Sequence, residues 1–532
     1  ELVEETGGII ELDKLPIGDP TLSNKEIIGN ESQERMGLIV KKENIEEFIR
    51  ICEREKAPIY IVGKVKDDNH FEIYSKKSNK SCVNLNLKHF FGSSPETILK
   101  DTVINKTYEK INYSQKKVHS YLEDLFSLEA VGCKDWLTNK VDRCVGGKVA
   151  KQQCVGELQL PLNNCGVIAL DFVNNQGIAT SIGHSPISGL INPKAGSKNS
   201  IAEALTNIIW APIKGNISGL SLSANWMWPC KNEGEDARLY KAVESVSEFA
   251  IDLGINIPTG KDSLSMNQKY KDKEVKSPGT VIISATGHCE DINKVIEPVF
   301  KKNYGSIYYL NLSQDEYKLG GSSFSQITGN IGIDTPTIKN SDFFKKTFNV
   351  IQDMIRKDHI VAGHDIGSGG LITSLLEMCF PSVNVSANIN LSSLNENDTI
   401  KLLFSENCGV ILQSNSNEVE KIFKNHSIKF YKIGEVNSGN RLNLINNDQE
   451  LIFDIPKYRD IWFYTSTLLD KKQSANNLAE TRFNNYKNQP LNFKFPKKFS
   501  GEISLIRKFI KPKAAVLREK GSNSERELAN AL

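Results

Sequence analysis

Apolar positions along the chain follow two periods. Over Asp236–Leu253, the residues Leu239, Val243, Val246, Phe249, Ala250 and Leu253 fall on one face at helical spacing, and Gly254 is placed to end the helix. Asp342–Lys357 carries the same period, and Ala202–Trp210 and Leu371–Phe380 also read as helices. Short apolar runs at Ile255–Ile257, Ser306–Leu312 and Ile360–Gly363 predict strands. The alternation of the two element types predicts an α/β chain.

The pattern also repeats. Glu34-x-x-Gly37-Leu38-Ile39-Val40, a helical stretch and Tyr60-x-x-Gly63-x-Val65 return as Glu406-x-x-Gly409-Val410-Ile411-Leu412, a helical stretch and Tyr431-x-x-Gly434-x-Val436, with the flanking words offset by 371 or 372 residues. Each copy reads as strand, helix, strand, and two copies so far apart imply a duplicated large unit of which only the tail of the first is present. At 532 residues the chain is too long for one core. The expected divisions are residues 1–100 as the tail of a first unit, 120–300 and 301–460 as two α/β domains, 461–511 as a linker, and 512–532 as the start of another domain whose first strand is Ala514–Arg518.

Charge and composition remove several function classes. Net charge is +2 with lysines and acids mixed, so no electrostatic footprint for nucleic acid is present. The richest apolar run, near Cys165–Val173, is too short to span a bilayer, and no signal peptide precedes it. Ten cysteines without a C-x-x-C pair read as free thiols of a cytoplasmic enzyme, and the histidines show no zinc spacing with them. The chain opens on Glu1 and not on Met, so it is expected to be an internal piece of a longer protein.

The candidate chemistry lies between residues 142 and 370. Glu203 and Asn207 are four apart on one helix face, where one hard cation could take an oxygen from each; an exposed polar face is the alternative. Asp142 lies before Gly146-Gly147, in a place suited to Mg-phosphate chemistry and equally to a turn. His364-Asp365-Ile366-Gly367-Ser368-Gly369-Gly370 joins a strand to a helix, and its glycines and helix N-terminus suit a phosphate; a capped loop is the alternative. His364 reads as packed or hydrogen-bonded before it reads as a base. Gly260-Lys261-Asp262-Ser263 lacks the P-loop spacing, yet Lys261, Asp262 and Ser263 in a loop after Ile255–Ile257 remain candidates for a phosphate, substrate or metal-bound water. Asn30–Arg35 reads as a solvated turn or a hydrogen-bonding cluster.

Together, N-E-S-Q-E-R-M (30–36), R-E-K-A-P (54–58), D-R-C-V-G-G (142–147), A-E-A-L-T-N (202–207), L-S-A-N-W-M (222–227), G-E-D-A-R-L-Y (234–240), P-T-G-K-D-S-L-S-M (258–266), H-D-I-G-S-G-G-L (364–371) and L-R-E-K-G-S-N (517–523) resemble the phosphoribosylformylglycinamidine synthase family across essentially the whole chain. The resemblance implies duplicated domains of the aminoimidazole ribonucleotide synthetase-like superfamily, then a linker and the start of a class I glutaminase. It implies Asp142, Glu203, Asn207 and Asp365 as Mg²⁺ ligands of an ATP or ADP site, with Val141 and Gly367 touching the nucleotide. Gly367 and Ser368 depart from the family's H-D-R-S-D-G-G, which removes any side-chain contact at 367. The implied reaction uses formylglycinamide ribonucleotide, ATP and glutamine-derived ammonia. The first synthetase half with its catalytic histidine, and the glutaminase with its nucleophilic cysteine, would lie outside residues 1–532, so no catalytic residue is assigned and the chain alone is expected to be inactive. Two alternatives stay open: a sibling ATP-using enzyme such as aminoimidazole ribonucleotide or selenophosphate synthetase, and a nucleotide-bearing scaffold without turnover.

Overall fold

The computed structural model describes residues 2–30, 35–91, 100–104, 106–138, 143, 147–302, 305–488, 496–497, 513–518 and 524–532. They fall into two compact units, Glu1–Leu99 with Arg518–Ser522, and Lys100–Leu517 with Asn523–Leu532.

The first unit is a four-stranded sheet of β1 (Gly8–Glu11), β2 (Gly63–Val65), β3 (His70–Ser75) and β4 (Lys80–Asn86) in the order β2-β1-β3-β4. Helices α1 (Asn24–Gly29), α2 (Ile45–Arg54) and α3 (Leu87–Phe90) accompany it. Gly37–Val40, expected as a strand, is not one, and Leu38 and Ile39 are exposed. A lone extended segment leaves its backbone groups to water, so an apolar run becomes a strand only where a neighbour can pair with it.

The second unit holds two large sheets. The first is built from β5 (Val149–Lys151), β8 (Gly166–Ala169), β9 (Gly177–Gly183), β10 (Leu220–Met227), β11 (Asn256–Ser263) and β14 (Thr280–Cys289), in the order β11-β10-β14-β9-β8-β5. Two small ribbons, β6 (Cys154–Val155) with β7 (Leu160–Pro161) and β12 (Asn267–Lys269) with β13 (Glu274–Lys276), flank it. The second sheet has β15 (Ser306–Asn311), β16 (Ala362–Asp365), β17 (Ser386–Asn390), β18 (Gly409–Ser414), β19 (Tyr431–Asn437), β20 (Arg441–Asn446) and β21 (Gln449–Asp454), ordered β16-β18-β15-β19-β17-β20-β21.

The α-helices described in this unit are α4 (Val118–Phe126), α5 (Asp135–Thr138), α6 (Pro186–Ile191), α7 (Pro193–Ile208), α8 (Glu235–Leu253), α9 (Ser323–Ile327), α10 (Ser341–Arg356), α11 (Gly370–Glu377), α12 (Thr399–Phe404), α13 (Val419–Asn425), α14 (Ile455–Asp470), α15 (Leu478–Asn485) and α16 (Glu525–Ala531). The helix expected at Asp236–Leu253 is α8, closed by Gly254 at φ 74°. One buried cluster takes Ala179 and Ile283 from the six-stranded sheet, Leu205 and Trp210 from α7 and its end, and Leu310 and Leu412 from the seven-stranded sheet. The shared core clamps α7 between the two sheets, and burial of such apolar surface stabilises it by about 25 cal/mol per Å².

The stretch from 461, expected as linker, is helical and packed through Asn485. Trp462 and Phe463 are buried, and Tyr486 stacks on Phe463 at 3.9 Å between centroids. Arg482 forks onto buried Asp135 at 2.8 and 3.1 Å. Its helical spacing of aromatics was masked by the Asn and Lys content. Most of 489–512 lies outside the described residues, and among the described ones Ala514–Arg518 is unpaired in any sheet. No described helix is long and apolar enough to cross a membrane.

Candidate functional site

Helix α7 starts on the Asn192 side chain, which accepts from the backbone N–H of Lys194 and Ala195, with Pro193 at its first position. Ala202, Leu205 and Ile208 point into the core, so the helical period turns Glu203 and Asn207 together toward the half-buried side. Both meet the end of β9. Glu203 Oε2 accepts from the His184 backbone N–H at 2.6 Å, and Asn207 Nδ2 donates to the Ile182 carbonyl at 3.1 Å. Donating that N–H₂ leaves the amide oxygen of Asn207 directed elsewhere.

Asp365 ends β16, which packs against α7. The approach is close because Gly363, in the middle of β16, lies under the indole of Trp210 just past the helix end: a Cβ at 363 would sit 2.0 Å from the ring. Asp365 is buried, with Oδ1 3.0 Å from His364 Nδ1, while His364 Nε2 lies 3.1 Å from Glu377 Oε2. Burial pushes the imidazole pKa down, but the two carboxylates outweigh it and raise it to about 9. With an acceptor at each nitrogen, His364 is held as imidazolium.

Beyond Asp365 the chain turns through Gly369 and Gly370 at φ 93° and 73°, where only glycine is unstrained, and enters α11. Gly369 donates its backbone N–H to Glu406 Oε1 at 2.7 Å, and the same oxygen accepts from Ser323 N at 2.8 Å, at the start of α9. An internal carboxylate thus takes one donor that a phosphate at this turn would use. Burial raises the Glu406 pKa, its two backbone donors lower it, and nearby Glu203 raises it further. His184 is raised by its contact with Glu203, against burial. Glu203, Asp365, Glu406 and His184 therefore share one electrostatic neighbourhood. Glu377 and His184 carried no sequence signal; Glu406 did, as the first letter of the repeated word, without a chemical role.

Asp142 and Val141 lie outside the described residues. Gly367 is half-buried, and a Cβ there would lie 3.2 Å from Asp365 Oδ2. Lys261, Asp262 and Ser263 are not in a loop. They end β11, the edge strand of the six-stranded sheet, in register with Asn225, Trp226 and Met227. The reason is Gly260: a Cβ there would sit 2.2 Å from the Ala224 carbonyl oxygen, so the close pairing with β10 requires glycine. Lys261 Nζ bonds the Asp262 carbonyl and Ser263 Oγ, both at 3.0 Å. Among the described residues, no hydrogen bond or ion pair joins these three to Glu203, Asn207 or Asp365.

The donor set suits magnesium. Two carboxylates and an amide oxygen are hard ligands, and Mg²⁺ is usually held by one or two carboxylates with phosphate and water completing the octahedron. Among the described residues no three His, Cys, Asp or Glu side chains come together as a group that could hold a metal ion.

Residues 133–288 match the model of the FGAR-AT PurM_N-like domain, and residues 1–76 and 308–446 match that of the AIR synthase related protein, C-terminal domain. The second match occurs twice, on the two copies of the repeat. Similarity to curated proteins runs through the entire chain: it is 36% identical to the phosphoribosylformylglycinamidine synthase of Dictyostelium discoideum and 33% identical to the probable chloroplastic/mitochondrial one of Arabidopsis thaliana, in each case over 100% of its length. The chain belongs to the phosphoribosylformylglycinamidine synthase family. It spans about two fifths of those relatives, 42% and 39%. The family fold is seen in T. maritima PurL complexed with ATP, which is 14% identical, with a TM-score of 0.52 over 81% of this chain and 59% of that one.

Proposed function

We propose that this chain is the magnesium-nucleotide-holding part of a ligase that converts formylglycinamide ribonucleotide, ammonia and ATP into formylglycinamidine ribonucleotide, ADP and phosphate, in purine biosynthesis. The observation that carries the reading is the identity of 31–36% over the whole chain to proteins named for that activity. The packing of α7 on β16 supports it, because it brings Glu203, Asn207 and Asp365 to one junction. In this reading ATP phosphorylates the amide oxygen, ammonia adds to the activated carbon, and phosphate leaves with that oxygen. Magnesium, when bound, neutralises charge on the phosphoryl oxygens. Asp142, Glu203, Asn207 and Asp365 would hold it, and Val141 and Gly367 would border the nucleotide. Lys261, Asp262 and Ser263 are proposed to meet substrate from the edge strand.

Two further parts of the enzyme belong to the proposal. Ammonia comes from glutamine through a glutaminase domain. A sister synthetase half covers the open face of the six-stranded sheet, where Ile168, Leu170, Phe172, Val173, Ile178 and Ile182 are exposed.

A second reading is a nucleotide retained to hold the fold; both ring nitrogens of His364 face carboxylates of this chain, Asp365 and Glu377, which suits an imidazole that orders the loop. Calorimetry with Mg-ADP and a chase of bound ADP by excess Mg-ATP separate the two. Exchange supports a ligase site, ADP that does not exchange supports the retained nucleotide, and absence of Mg-ADP binding overturns both readings.

A further inference from the structure

Strand β11 is an edge strand, held along one side by β10. That support continues past Met227, because the chain runs on through Trp228, Pro229 and Cys230 beside the residues that follow β11. Trp228 N donates to Ser263 O at 2.9 Å, Cys230 N to Leu264 O at 3.0 Å and Met266 N to Trp228 O at 3.4 Å, and Pro229 forms an antiparallel bridge with Ser265. The end of β11, with Lys261, Asp262 and Ser263, therefore hangs on the backbone of 228–230.

What fixes 228–230 is the indole of Trp228. The ring is fully buried and closed off by Gly279, where a Cβ would lie 2.3 Å from it. Its Nε1 donates to Glu235 Oε2 at 3.1 Å. Glu235 opens α8 and is 7% exposed. Its Oε1 accepts from Lys106 Nζ at 2.9 Å, and Arg238 Nε lies 3.4 Å from Oε2. Asp101 pins the helix start beside it, accepting from the backbone N–H groups of Gly234, Asp236 and Ala237 at 3.0, 3.1 and 3.3 Å. A buried carboxylate with partners on both oxygens has one place to sit, and the indole is held there with it.

We propose that Glu235 is a positioning residue for substrate, acting through Trp228 to set where Lys261, Asp262 and Ser263 stand at the end of β11. The inference rests on the reading above that these three meet formylglycinamide ribonucleotide. An indole N–H is a donor only, and a buried donor without an acceptor is costly. Removing the carboxylate therefore draws the ring toward water and slackens 228–230, and 263–266 with it.

Native-state amide exchange on the full chain tests the positioning with no ligand present. Glu235→Ala is expected to speed exchange at Trp228, Cys230 and Met266 by about 10-fold relative to Ala202 and Leu205 in α7, the scale of one buried hydrogen bond. Calorimetry tests the consequence: formylglycinamide ribonucleotide should bind about 10-fold more weakly, with Mg-ADP affinity unchanged. Glu235→Gln keeps an acceptor for Nε1 while losing the charge opposite Lys106, so both readouts should return close to wild type. Trp228→Phe drops the N–H and leaves the carboxylate; the same selective loss is expected, and it decides the matter if the alanine variant does not fold. Wild-type exchange rates in the alanine variant overturn the positioning claim alone. So does an equal fall in substrate and Mg-ADP affinity, which marks a general loss of structure. If the wild-type chain binds no formylglycinamide ribonucleotide, the substrate reading of β11 fails, and this inference with it.

Discussion

The junction between α7 and β16 makes its sharpest prediction at Gly363. A Cβ on this residue would lie 2.0, 2.3 and 2.6 Å from three ring atoms of Trp210. Carbon atoms in contact sit about 3.5–4.0 Å apart, so Gly363→Ala requires the strand or the indole to move by about 1.5 Å. Neither can do so cheaply. Trp210 is fully buried, and its carbonyl accepts from Ile296 N at 2.9 Å. Gly363 donates to Glu297 O at 3.1 Å and pairs with Leu412 in β18. Overpacking of this kind costs about 1–3 kcal/mol. The relief also has a direction, because pushing β16 off Trp210 carries Asp365 away from Glu203 and Asn207. Urea unfolding should show the loss of stability, and magnesium titration in the presence of ADP should show a raised midpoint. Trp210→Phe, introduced into the alanine variant, removes part of the ring and should restore some of both. Wild-type stability in Gly363→Ala would refute the packing argument; lost stability with an unchanged magnesium midpoint would refute the claim that this packing sets the metal site.

Three other outcomes are expected. Arg482→Ala leaves the carboxylate of Asp135, 4% exposed, without its bidentate partner. It should lose about 3 kcal/mol in urea unfolding, the low end for breaking a buried pair, with recovery in Arg482→Ala/Asp135→Asn. Mg-ADP at a hundredfold excess over its Kd should stabilise the native chain by about 2.7 kcal/mol, seen as a rise in Tm that chelator or Asp365→Ala removes. At Glu297, burial raises the carboxyl pKa but Lys151 and Lys301 outweigh it and hold it below 4.5. A depressed carboxyl contributes stability that is complete above the unfolded value and is lost as pH falls through the lower folded value. Lys151→Met should therefore flatten the acid limb of a stability profile taken downward from neutrality, and a limb as steep as wild type would count against the pair.

What was legible beforehand followed from periodicity. The apolar faces of α8 and α10 repeat every three or four residues, and Gly254 closes α8 in the left-handed region as its position suggested. Glu203 and Asn207 were placed on one helix face by spacing alone. The unread parts are those where local pattern carries no information. Strand β11 is an exposed edge with scarcely any apolar alternation, so Gly260–Ser263 looked like a loop; its pairing with β10 depends on a glycine meeting a carbonyl from residue 224. Glu406 and Glu377 act on residues 37 and 13 positions away. A contact of that kind has no signature short of the fold. Within the expected linker, residues 461–486 were hidden by composition: the stretch is rich in Lys and Asn, while Trp462, Phe463 and Tyr486 face inward.

The duplication is visible in the backbone as well as in the words. In the first unit β1 pairs antiparallel with β2 and parallel with β3, and β3 pairs antiparallel with β4. In the seven-stranded sheet β17 pairs antiparallel with β19 and parallel with β20, and β20 pairs antiparallel with β21. The order β2-β1-β3-β4 is thus the order β19-β17-β20-β21 over again, with α2 preceding β2 as α13 precedes β19. The three remaining strands of the larger sheet, β15, β18 and β16, are the ones that bear on the site: Asp365 ends β16, Glu406 precedes β18, and β15 lies beside it. At an offset of 372, the counterpart of β18 is Gly37–Val40. That segment has the right residues but neither neighbour, since β18 owes both its hydrogen-bonding edges to β15 and β16. That deficit is why an apolar run matching β18 in pattern stays unpaired and exposed in the first unit.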